Sequence, residues 1–223
     1  MVSVILMMAG SSSRMNTNEN KLFLDLGNKK VFQHSLDKFL ELGLDVICVT
    51  KEDNIKHLEE YLDKVKVVIG GNTRQQSVYN GLNACDNEYV LIHDAARPFV
   101  TKKIIEECLS AINEGKNFLV AAPAKDSIYL KTPFEALSRD NICLAQTPQG
   151  GLKSDFLTAH IKALEEDFST TDDISLVLKY IDKEVKIING DDINFKLTTS
   201  LDYILAKELI KWLELDMHGI LIN

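Results

Sequence analysis

The chain has 223 residues, 45% hydrophobic and 26% charged, which is typical of a soluble globular protein with a substantial core. Its formal net charge of −8 disfavours nucleic acid as a partner, and any anionic ligand must be held by local arginines and lysines. The four cysteines lack CxxC spacing, which favours small buried apolar residues in a reducing compartment over zinc ligands or disulfides: Cys48, Cys85, Cys108 and Cys143.

The N-terminal residues 4–8 form an apolar run, which predicts a strand buried on both faces of a parallel sheet. The run is too short to cross a membrane and no basic segment precedes it. We therefore expect no signal peptide, no membrane association and a cytoplasmic location.

A loop of small residues, Ala9-Gly10 and residues 11–13, follows this strand, with Arg14 and Lys21 soon after. Small side chains let a ligand approach the backbone, and successive N–H groups can form an anion-binding nest. Two cations beside such a nest suit a ligand with several phosphates. A serine-rich surface turn with solvated cations is the alternative. The Walker and dinucleotide glycine patterns are both absent.

Strands and helices then alternate along the chain. Short β-branched or apolar runs predict strands at residues 45–50, 65–69, 89–93 and 118–122. Helical periodicity predicts helices at residues 31–42, 55–61, 73–83 and 101–113, the last with Thr101 as N-cap. This order indicates an α/β fold with a parallel, doubly wound sheet that binds ligands at the carboxyl ends of its strands. Ala9-Gly10, Gly70-Gly71 and residues 94–98 each follow a predicted strand, which favours one shared site.

The pattern changes over residues 125–149, where the short β-prone runs 127–130 and 142–146 flank a polar, turn-rich stretch. We predict a protruding β-arm within a single domain of residues 1–223. Its hairpin edges must be paired or covered, which makes a second subunit a natural partner. Helices are predicted again at residues 153–165, 172–180 and 200–213, and strands at 185–188 and 195–197.

Seven motifs that span nearly the whole chain occur together in a fixed order: AGSSSRM (residues 9–15), Lys21, GGNTRQQSVYNGL (70–82), HDAARP (93–98), TPQ (147–149), TDD (171–173) and INFKLTT (193–199). This set resembles the 2-C-methyl-D-erythritol 4-phosphate cytidylyltransferase family of the non-mevalonate isoprenoid pathway. The resemblance implies a mostly parallel, Rossmann-like sheet of the glycosyltransferase-A type and a homodimer joined through the β-arm. It also implies CTP as substrate and Mg²⁺ held mainly by the CTP phosphates, without a dedicated protein metal site.

In the implied reaction, a sugar-alcohol phosphate attacks the α-phosphorus of CTP and pyrophosphate leaves. The attacking phosphate is mostly dianionic near pH 7, since its second pKa is about 6. No general base is therefore needed, and none of the five histidines has to be catalytic. The task is to bring two anions together and to stabilise charge at phosphorus. By resemblance, Arg14 and Lys21 stabilise the transition state.

The resemblance also assigns the nucleotide side of the site. Ala9 and Gly10 approach the ligand, while Gly71, Asn72 and Ser77 read the cytosine; the alternative for these three is a glycine turn with Ser77 on the following helix. Arg74 contacts phosphate or is solvated. Asp94 contacts the sugar portions and approaches Mg²⁺, and Arg97 binds substrate; alternatively, Asp94 caps its loop and pairs with Arg97.

The methylerythritol phosphate side is implied at Arg139, Ser127, Thr147, Thr171 and Lys196. Arg139 stands on the predicted arm, so we expect it to reach into the neighbouring subunit's site. Lys196 on a late strand is expected to hold the attacking phosphate beside Arg139, with a solvated strand lysine as the alternative. Thr171 has an alternative role as the N-cap of the next helix.

The chain departs from the family pattern at several positions. Met8 and Ser12 replace an alanine and a glycine, Asn20 and Leu22 flank Lys21 in place of proline and glutamine, Gly150 stands where an aromatic residue is expected, and Ser127 replaces threonine. Two other functions therefore stay open, a ribitol-5-phosphate cytidylyltransferase and a catalytically silent nucleotide-binding dimer. An NAD-dependent dehydrogenase is disfavoured because its glycine fingerprint is missing.

Overall fold

A computed structural model of the chain describes residues 1–10 and 20–217, and side chains as far as residue 213. The predicted loop 11–13 and Arg14 lie outside the described residues. No helix in the described ranges is long and apolar enough to cross a lipid bilayer.

The strands are short, and they alternate with helices as expected. They are β1 Val2–Met7, β2 Asp25–Leu26, β3 Lys29–Lys30, β4 Asp45–Thr50, β5 Val65–Ile69, β6 Tyr89–Asp94, β7 Asn117–Pro123, β8 Ile128–Lys131, β9 Phe134–Leu137, β10 Cys143–Leu152 and β11 Val185–Asn189. The α-helices are α1 Val31–Glu41, α2 Arg74–Ala84, α3 Lys102–Asn113, α4 Lys153–Glu165, α5 Ile174–Tyr180 and α6 Ser200–Met217. Three segments are 3₁₀ helices, Lys21–Phe23, Glu52–Tyr61 and Arg139–Asn141, so the helix expected at 55–61 is of the tighter type.

The main sheet has seven strands in the order β11-β7-β10-β6-β1-β4-β5. Strands β6, β1, β4 and β5 run parallel to one another, as do β7 and β11, whereas β10 is antiparallel to both β6 and β7. The prediction of a mostly parallel α/β fold is confirmed. Strand β10 is the exception, because the chain returns from the arm in the opposite direction and enters the sheet between two parallel strands.

The arm is a hairpin, but its second strand is not the one that was predicted. Strand β8 pairs with β9, and the run predicted to close the hairpin, residues 142–146, instead begins β10 of the main sheet. The run joins the main sheet because the strand that it begins is mostly buried: β10 is buried from Gln146 to Gly151, as a strand inside the sheet must be. The polar segment between the two predicted runs supplies the second hairpin strand.

The strand predicted at residues 195–197 is also wrong. The segment is extended, but the structure gives it one sheet-like hydrogen bond, from the Leu197 N–H to the Ala96 carbonyl at 2.8 Å. Leu197 is fully buried and the Phe195 ring packs near Phe99, with centroids 5.8 Å apart. The apolar alternation therefore reflects burial of alternate side chains, which does not require a β-ladder.

Helices cover both faces of the sheet. Val4 and Leu6 of β1 point into one core with α1, α3 and α6, and Ile5 and Met7 point into the other with α2, α4 and α5. This alternation follows from the two-residue period of a strand and explains the continuous apolar run at the N-terminus. Three cysteines, Cys48, Cys85 and Cys108, are buried and free as predicted, whereas Cys143 is exposed.

The packing around β10 explains why glycine stands at position 150, one of the departures from the family pattern. The neighbouring strands leave no room for a side chain there. A Cβ atom there would lie 2.1 Å from the Val90 carbonyl oxygen of β6 and 2.9 Å from the Phe118 ring of β7. Phe118 is fully buried, so its ring occupies the space between the strands that a larger residue would need. An aromatic residue at this position is incompatible with the observed packing.

We expect Gly150→Ala to lower the free energy of unfolding by about 3 kcal/mol, because the added methyl group forces adjacent strands apart. Chemical denaturation measures the loss. Gly115→Ala is the matched control, since Gly115 has φ +70° but open space around it, and its substitution costs only about 1 kcal/mol of backbone strain. Equal losses in the two variants would show that the close approach of β10 to β6 is not restrictive.

Candidate active site

A cleft of about 330 Å³ opens at the carboxyl ends of β1, β4, β5 and β6. The predicted residues that line it are Ala9, Gly10, Lys21, Gly71, Asn72, Ser77, Asp94 and Lys196; Met7, Leu22, Lys51, Thr73, Arg74 and Ala96 complete the wall. The strand-end motifs thus meet at one edge of the sheet, as parallel strands require.

Two adjacent glycines, Gly70 and Gly71, shape the loop between β5 and α2. A Cβ at Gly70 would lie 2.7 Å from the Ala9 Cβ, and one at Gly71 would lie 2.3 Å from the Gln76 side chain. The Ser77 hydroxyl accepts a hydrogen bond from the Gly71 N–H at 3.0 Å and donates to the Thr73 carbonyl at 2.8 Å. Ser77 therefore lines the cleft and also fixes the loop. Its predicted contact with cytosine stays a prediction.

The N-terminus of α2 begins beside this loop. Thr73 is its N-cap, and its hydroxyl accepts from the Gln76 N–H at 3.0 Å, while the Gln76 side-chain oxygen accepts from the Asn72 N–H at 2.9 Å. These bonds direct the first helical residue, Arg74, along the cleft wall. The helix dipole adds partial positive charge at this edge.

Asp94 stands at the end of β6 and carries the one carboxylate among the described lining residues. Its Oδ2 atom accepts from the Lys196 ammonium at 2.7 Å, and its Oδ1 atom lies 3.6 Å from the Arg74 guanidinium. Burial opposes ionisation of this carboxyl, but Arg74 and then Lys196 outweigh it and hold the pKa well below its usual range. Asp94 is therefore charged at physiological pH.

The alternative in which Asp94 pairs with Arg97 is wrong. The Arg97 guanidinium instead donates to the backbone carbonyls of Asn194 at 2.7 Å and Ala145 at 3.4 Å. The Asn194 side chain in turn donates to the Thr147 carbonyl at 2.9 Å. These bonds tie β10 to the extended segment that carries Lys196. Lys196 is thus held by structure and is not a solvated strand residue.

Thr147 and His93 form hydrogen bonds that fix the backbone of Asp94. The Asp94 N–H donates to the Thr147 hydroxyl at 3.2 Å, and the His93 Nδ1 atom lies 3.0 Å from the same hydroxyl. Burial lowers the pKa of His93 to about 4, so its ring is neutral. Because the His93 Nε2 atom lies 3.2 Å from the Arg97 carbonyl, Nε2 carries the proton and Nδ1 accepts from Thr147. The ring is engaged on both sides and is not placed to act as a base.

Arg139, Ser127 and Thr171 lie outside the wall of the cleft that the described residues form. Arg139 and Ser127 are exposed on the arm, where the Arg139 guanidinium donates to the Lys125 carbonyl at 3.1 Å. Thr171 is exposed, and the alternative that it caps α5 is wrong, because Asp172 accepts from the Ser175 N–H at 2.9 Å instead. The expected entry of Arg139 into a neighbouring subunit's site stays a prediction.

Lys51 was not among the predicted site residues, and the ion pairs of Arg74 were not predicted. Lys51 directly follows β4, so the rule used for Ala9 and Asp94 would have placed it at the cleft. Arg74 is not simply solvated, since its guanidinium pairs with Asp173 at 2.8 Å and lies 3.6 Å from Asp94. A contact between Arg74 and phosphate stays a prediction. The carboxylate partners of Arg74 come from distant parts of the chain, which no local pattern reveals.

The described lining residues include one carboxylate, Asp94, and four cationic side chains: Lys21, Lys51, Arg74 and Lys196. A locally positive cleft in a chain of net charge −8 suits a ligand with several phosphates. Within the described ranges no group of three His, Cys, Asp or Glu residues is close enough to hold a metal ion.

Comparison with known proteins gives a consistent result. The family model for 2-C-methyl-D-erythritol 4-phosphate cytidylyltransferase matches residues 2–211. Proteins of that name from Clostridium botulinum and Caldanaerobacter subterraneus are each 38% identical, over 94% of this chain and 97% and 99% of their own length. The crystal structure of 4-diphosphocytidyl-2C-methyl-D-erythritol synthase from Anaerococcus prevotii superposes with a TM-score of 0.83 at 28% identity, covering 94% of this chain and 98% of that one. The chain therefore belongs to the 2-C-methyl-D-erythritol 4-phosphate cytidylyltransferase family, as its ordered motifs predicted.

Proposed function

We propose that this chain joins CTP and 2-C-methyl-D-erythritol 4-phosphate to give 4-diphosphocytidyl-2-C-methyl-D-erythritol and pyrophosphate. The observation that carries the proposal is that Lys21 and Lys196, from opposite ends of the sequence, line one cleft together with Asp94. Family membership supplies the reaction, and this cleft supplies the charges that the reaction needs.

The chemistry requires positioning and charge stabilisation. The attacking phosphate is its own nucleophile, since its second pKa is about 6, and the neutral, fully engaged His93 is not needed as a base. In our proposal Lys21, with Arg14, stabilises charge developing on the α-phosphate of CTP, and Lys196 orients the attacking phosphate in line with it. Placing both anions in one cationic cleft offsets their mutual repulsion.

The loop around Gly71, Asn72 and Ser77 is the proposed cytosine pocket, with Ala9 and Gly10 opposite. Cytosine presents an amino donor where uracil presents a carbonyl acceptor, so discrimination requires an acceptor on the protein. Backbone carbonyls of the loop and the Asn72 amide oxygen provide such acceptors. The rigid hydrogen bonds of Ser77 hold them in place before the base arrives.

Mg²⁺ is the proposed cofactor, held mainly by the CTP phosphates. Magnesium sites of this kind use one or two carboxylates together with phosphate oxygens and water, and the cleft offers one carboxylate, Asp94. The donor set therefore fits the ion, with Asp94 as the residue that approaches it. The ion neutralises phosphate charge when bound.

We further propose that the protein is a homodimer joined through its arm, residues 125–149. The hairpin exposes large apolar side chains: Phe134 is 81% exposed, Tyr129 53% and Leu130 41%. The Tyr129 and Phe134 rings stack on each other with centroids 5.3 Å apart, which leaves their outer faces for a partner. A two-stranded hairpin of this composition gains stability from being covered. In such a dimer Arg139 and Ser127 serve the neighbouring cleft.

Ribitol 5-phosphate is the less favoured substrate, because the matching family model and the relatives compared above are named for methylerythritol phosphate. A silent nucleotide-binding dimer is disfavoured by the retained Lys21 and Lys196, which a pure binder does not need. The free buried cysteines suit a reducing compartment, and we propose a cytoplasmic location.

A substrate panel tests the proposed function. Pyrophosphate release is measured with each of the four nucleoside triphosphates against 2-C-methyl-D-erythritol 4-phosphate and ribitol 5-phosphate. We expect rapid turnover only for CTP with methylerythritol phosphate, and a fall of about 10²–10³ in the Lys21→Met variant because a transition-state donor is lost. Turnover confined to ribitol 5-phosphate would reject the substrate assignment, and CTP binding without turnover would reject the reaction.

Subunit complementation tests the role of the arm. A site built from Lys196 of one subunit and Arg139 of the other stays intact in a mixed dimer of Arg139→Met and Lys196→Met chains. Because random mixing makes half of the dimers mixed, each with one complete site, about a quarter of wild-type activity should return. Adding Phe134→Asp to both chains should abolish the recovery, whereas Leu178→Asp, at an exposed position on α5, should not. No recovery from the two single variants would place Arg139 in its own subunit's site or outside the chemistry.

A further inference from the structure

A chain of charged groups extends from the cleft into the protein. It passes from Lys196 to Asp94, from Asp94 to Arg74, and from Arg74 to Asp173, with nitrogen–oxygen distances of 2.7, 3.6 and 2.8 Å. Beyond it, the His160 Nε2 atom lies 3.4 Å from Asp173 Oδ1. Lys196 and Asp94 belong to the proposed site, whereas Asp173 and His160 lie deeper, almost fully buried.

Lys196 has two tasks that conflict. In the structure its ammonium neutralises Asp94, but under the proposed function it must hold the phosphate of the sugar alcohol. The Asp94 side chain is only 11% exposed, so with Lys196 as its one partner it would become a buried, unpaired carboxylate, at considerable cost, when Lys196 moved to the phosphate. A second cation at Asp94 removes this conflict, because the two carboxylate oxygens then have separate partners.

Arg74 is suited to be the permanent partner. Its guanidinium is anchored by the 2.8 Å ion pair to Asp173, whose carboxylate is 2% exposed. Asp173 is itself fixed, because the Gln149 side-chain oxygen accepts from the N–H groups of Asp173 and Ile174, both at 3.1 Å. Gln75, next to Arg74, donates to the Phe168 carbonyl at 3.1 Å and holds the same segment. Arg74 is therefore tied to the protein at the cleft wall beside Asp94 and is not placed to follow a ligand.

On the basis of the proposed function, we infer that Arg74 is a positioning residue. It keeps Asp94 neutralised when the Lys196 ammonium moves away from Asp94 and binds the phosphate of the sugar alcohol. Arg74 acts through Asp94 and Lys196 and does not touch the substrates. Among the described residues, loss of Arg74 leaves Lys196 as the one side chain that forms an ion pair with Asp94, which strengthens their pair and weakens phosphate binding.

The test compares variants that separate charge from packing. Arg74→Met alone would also leave the buried Asp173 carboxylate without its ion-pair partner. The informative variant is therefore the double Arg74→Met/Asp173→Asn, which removes both members of that ion pair. Asp173→Asn alone is the matched control, because it disturbs the same buried segment and leaves Arg74 beside Asp94. Arg74→Lys/Asp173→Asn restores a charge at the critical position. Thermal unfolding establishes that each variant is folded.

We expect the double Met/Asn variant to raise the KM for methylerythritol phosphate about tenfold with the KM for CTP within about twofold, since only the Lys196 side is affected. The Asp173→Asn control should stay within about twofold for both substrates, and the lysine variant should recover most of the loss. A merely structural role for Arg74 would make the control as defective as the double variant. A direct phosphate contact with CTP would raise the KM for CTP instead. Either result overturns the inference, as does an unchanged double variant.

Turnover by the wild-type chain tests the proposed function separately from the role of Arg74. If the wild type does not turn over CTP with methylerythritol phosphate, the same variants are compared by calorimetry with inorganic phosphate as the probe. The same order of affinities, with the double Met/Asn variant about tenfold weaker than its control, is then expected. Equal phosphate affinity in the double variant and the control would overturn the inference in this case also.

Discussion

The buried carboxylate of Asp94, held between two cations, is the interaction on which the site depends. Asp94 lies at the end of strand β6, at the edge of the sheet, and its backbone N–H donates to the Thr147 hydroxyl. Arg74 at the start of α2 and Lys196 on the last extended segment meet at its two oxygens. Three elements that are remote in sequence thereby converge on one cleft. The residues around the carboxylate, His93, Arg97 and Asn194, use their polar groups to hold these elements together.

This arrangement suits a reaction that needs no proton transfer. The nucleophile brings its own negative charge, so the protein contributes cations and rigid positioning. Histidine, the usual general base, is present at the site but buried, neutral and hydrogen-bonded on both ring nitrogens. The one carboxylate among the described lining residues, Asp94, serves to organise cations.

Much of the fold and part of the site were predictable from sequence, because strand periodicity, glycine turns and strand-end motifs are local. The bounds of β4 and β5 and the place of Ala9, Gly10, Gly71 and Asp94 after strands follow from such patterns, whereas Lys21, Asn72 and Ser77 were assigned by family resemblance. Contacts between distant residues did not: Lys196 and Asp94 are 102 positions apart, and Arg74 gave no local indication of its two carboxylate partners. The reversal of β10 was missed for the same reason. Gly150, an unexplained departure in the sequence, acquires its reason only from Val90 and Phe118 on the flanking strands.

We propose that Lys21 and Lys196 act on one reacting pair of phosphates while Asp94 keeps Arg74 as its charge partner. A crystal structure with bound 4-diphosphocytidyl-2-C-methyl-D-erythritol tests this most directly. We predict that the diphosphate lies in the cleft, that the Lys196 ammonium lies within about 3 Å of the phosphate that came from the sugar alcohol, and that Arg74 is still beside Asp94. A diphosphate bound elsewhere, or one that contacts Arg74 while Lys196 remains on Asp94, would contradict the proposal.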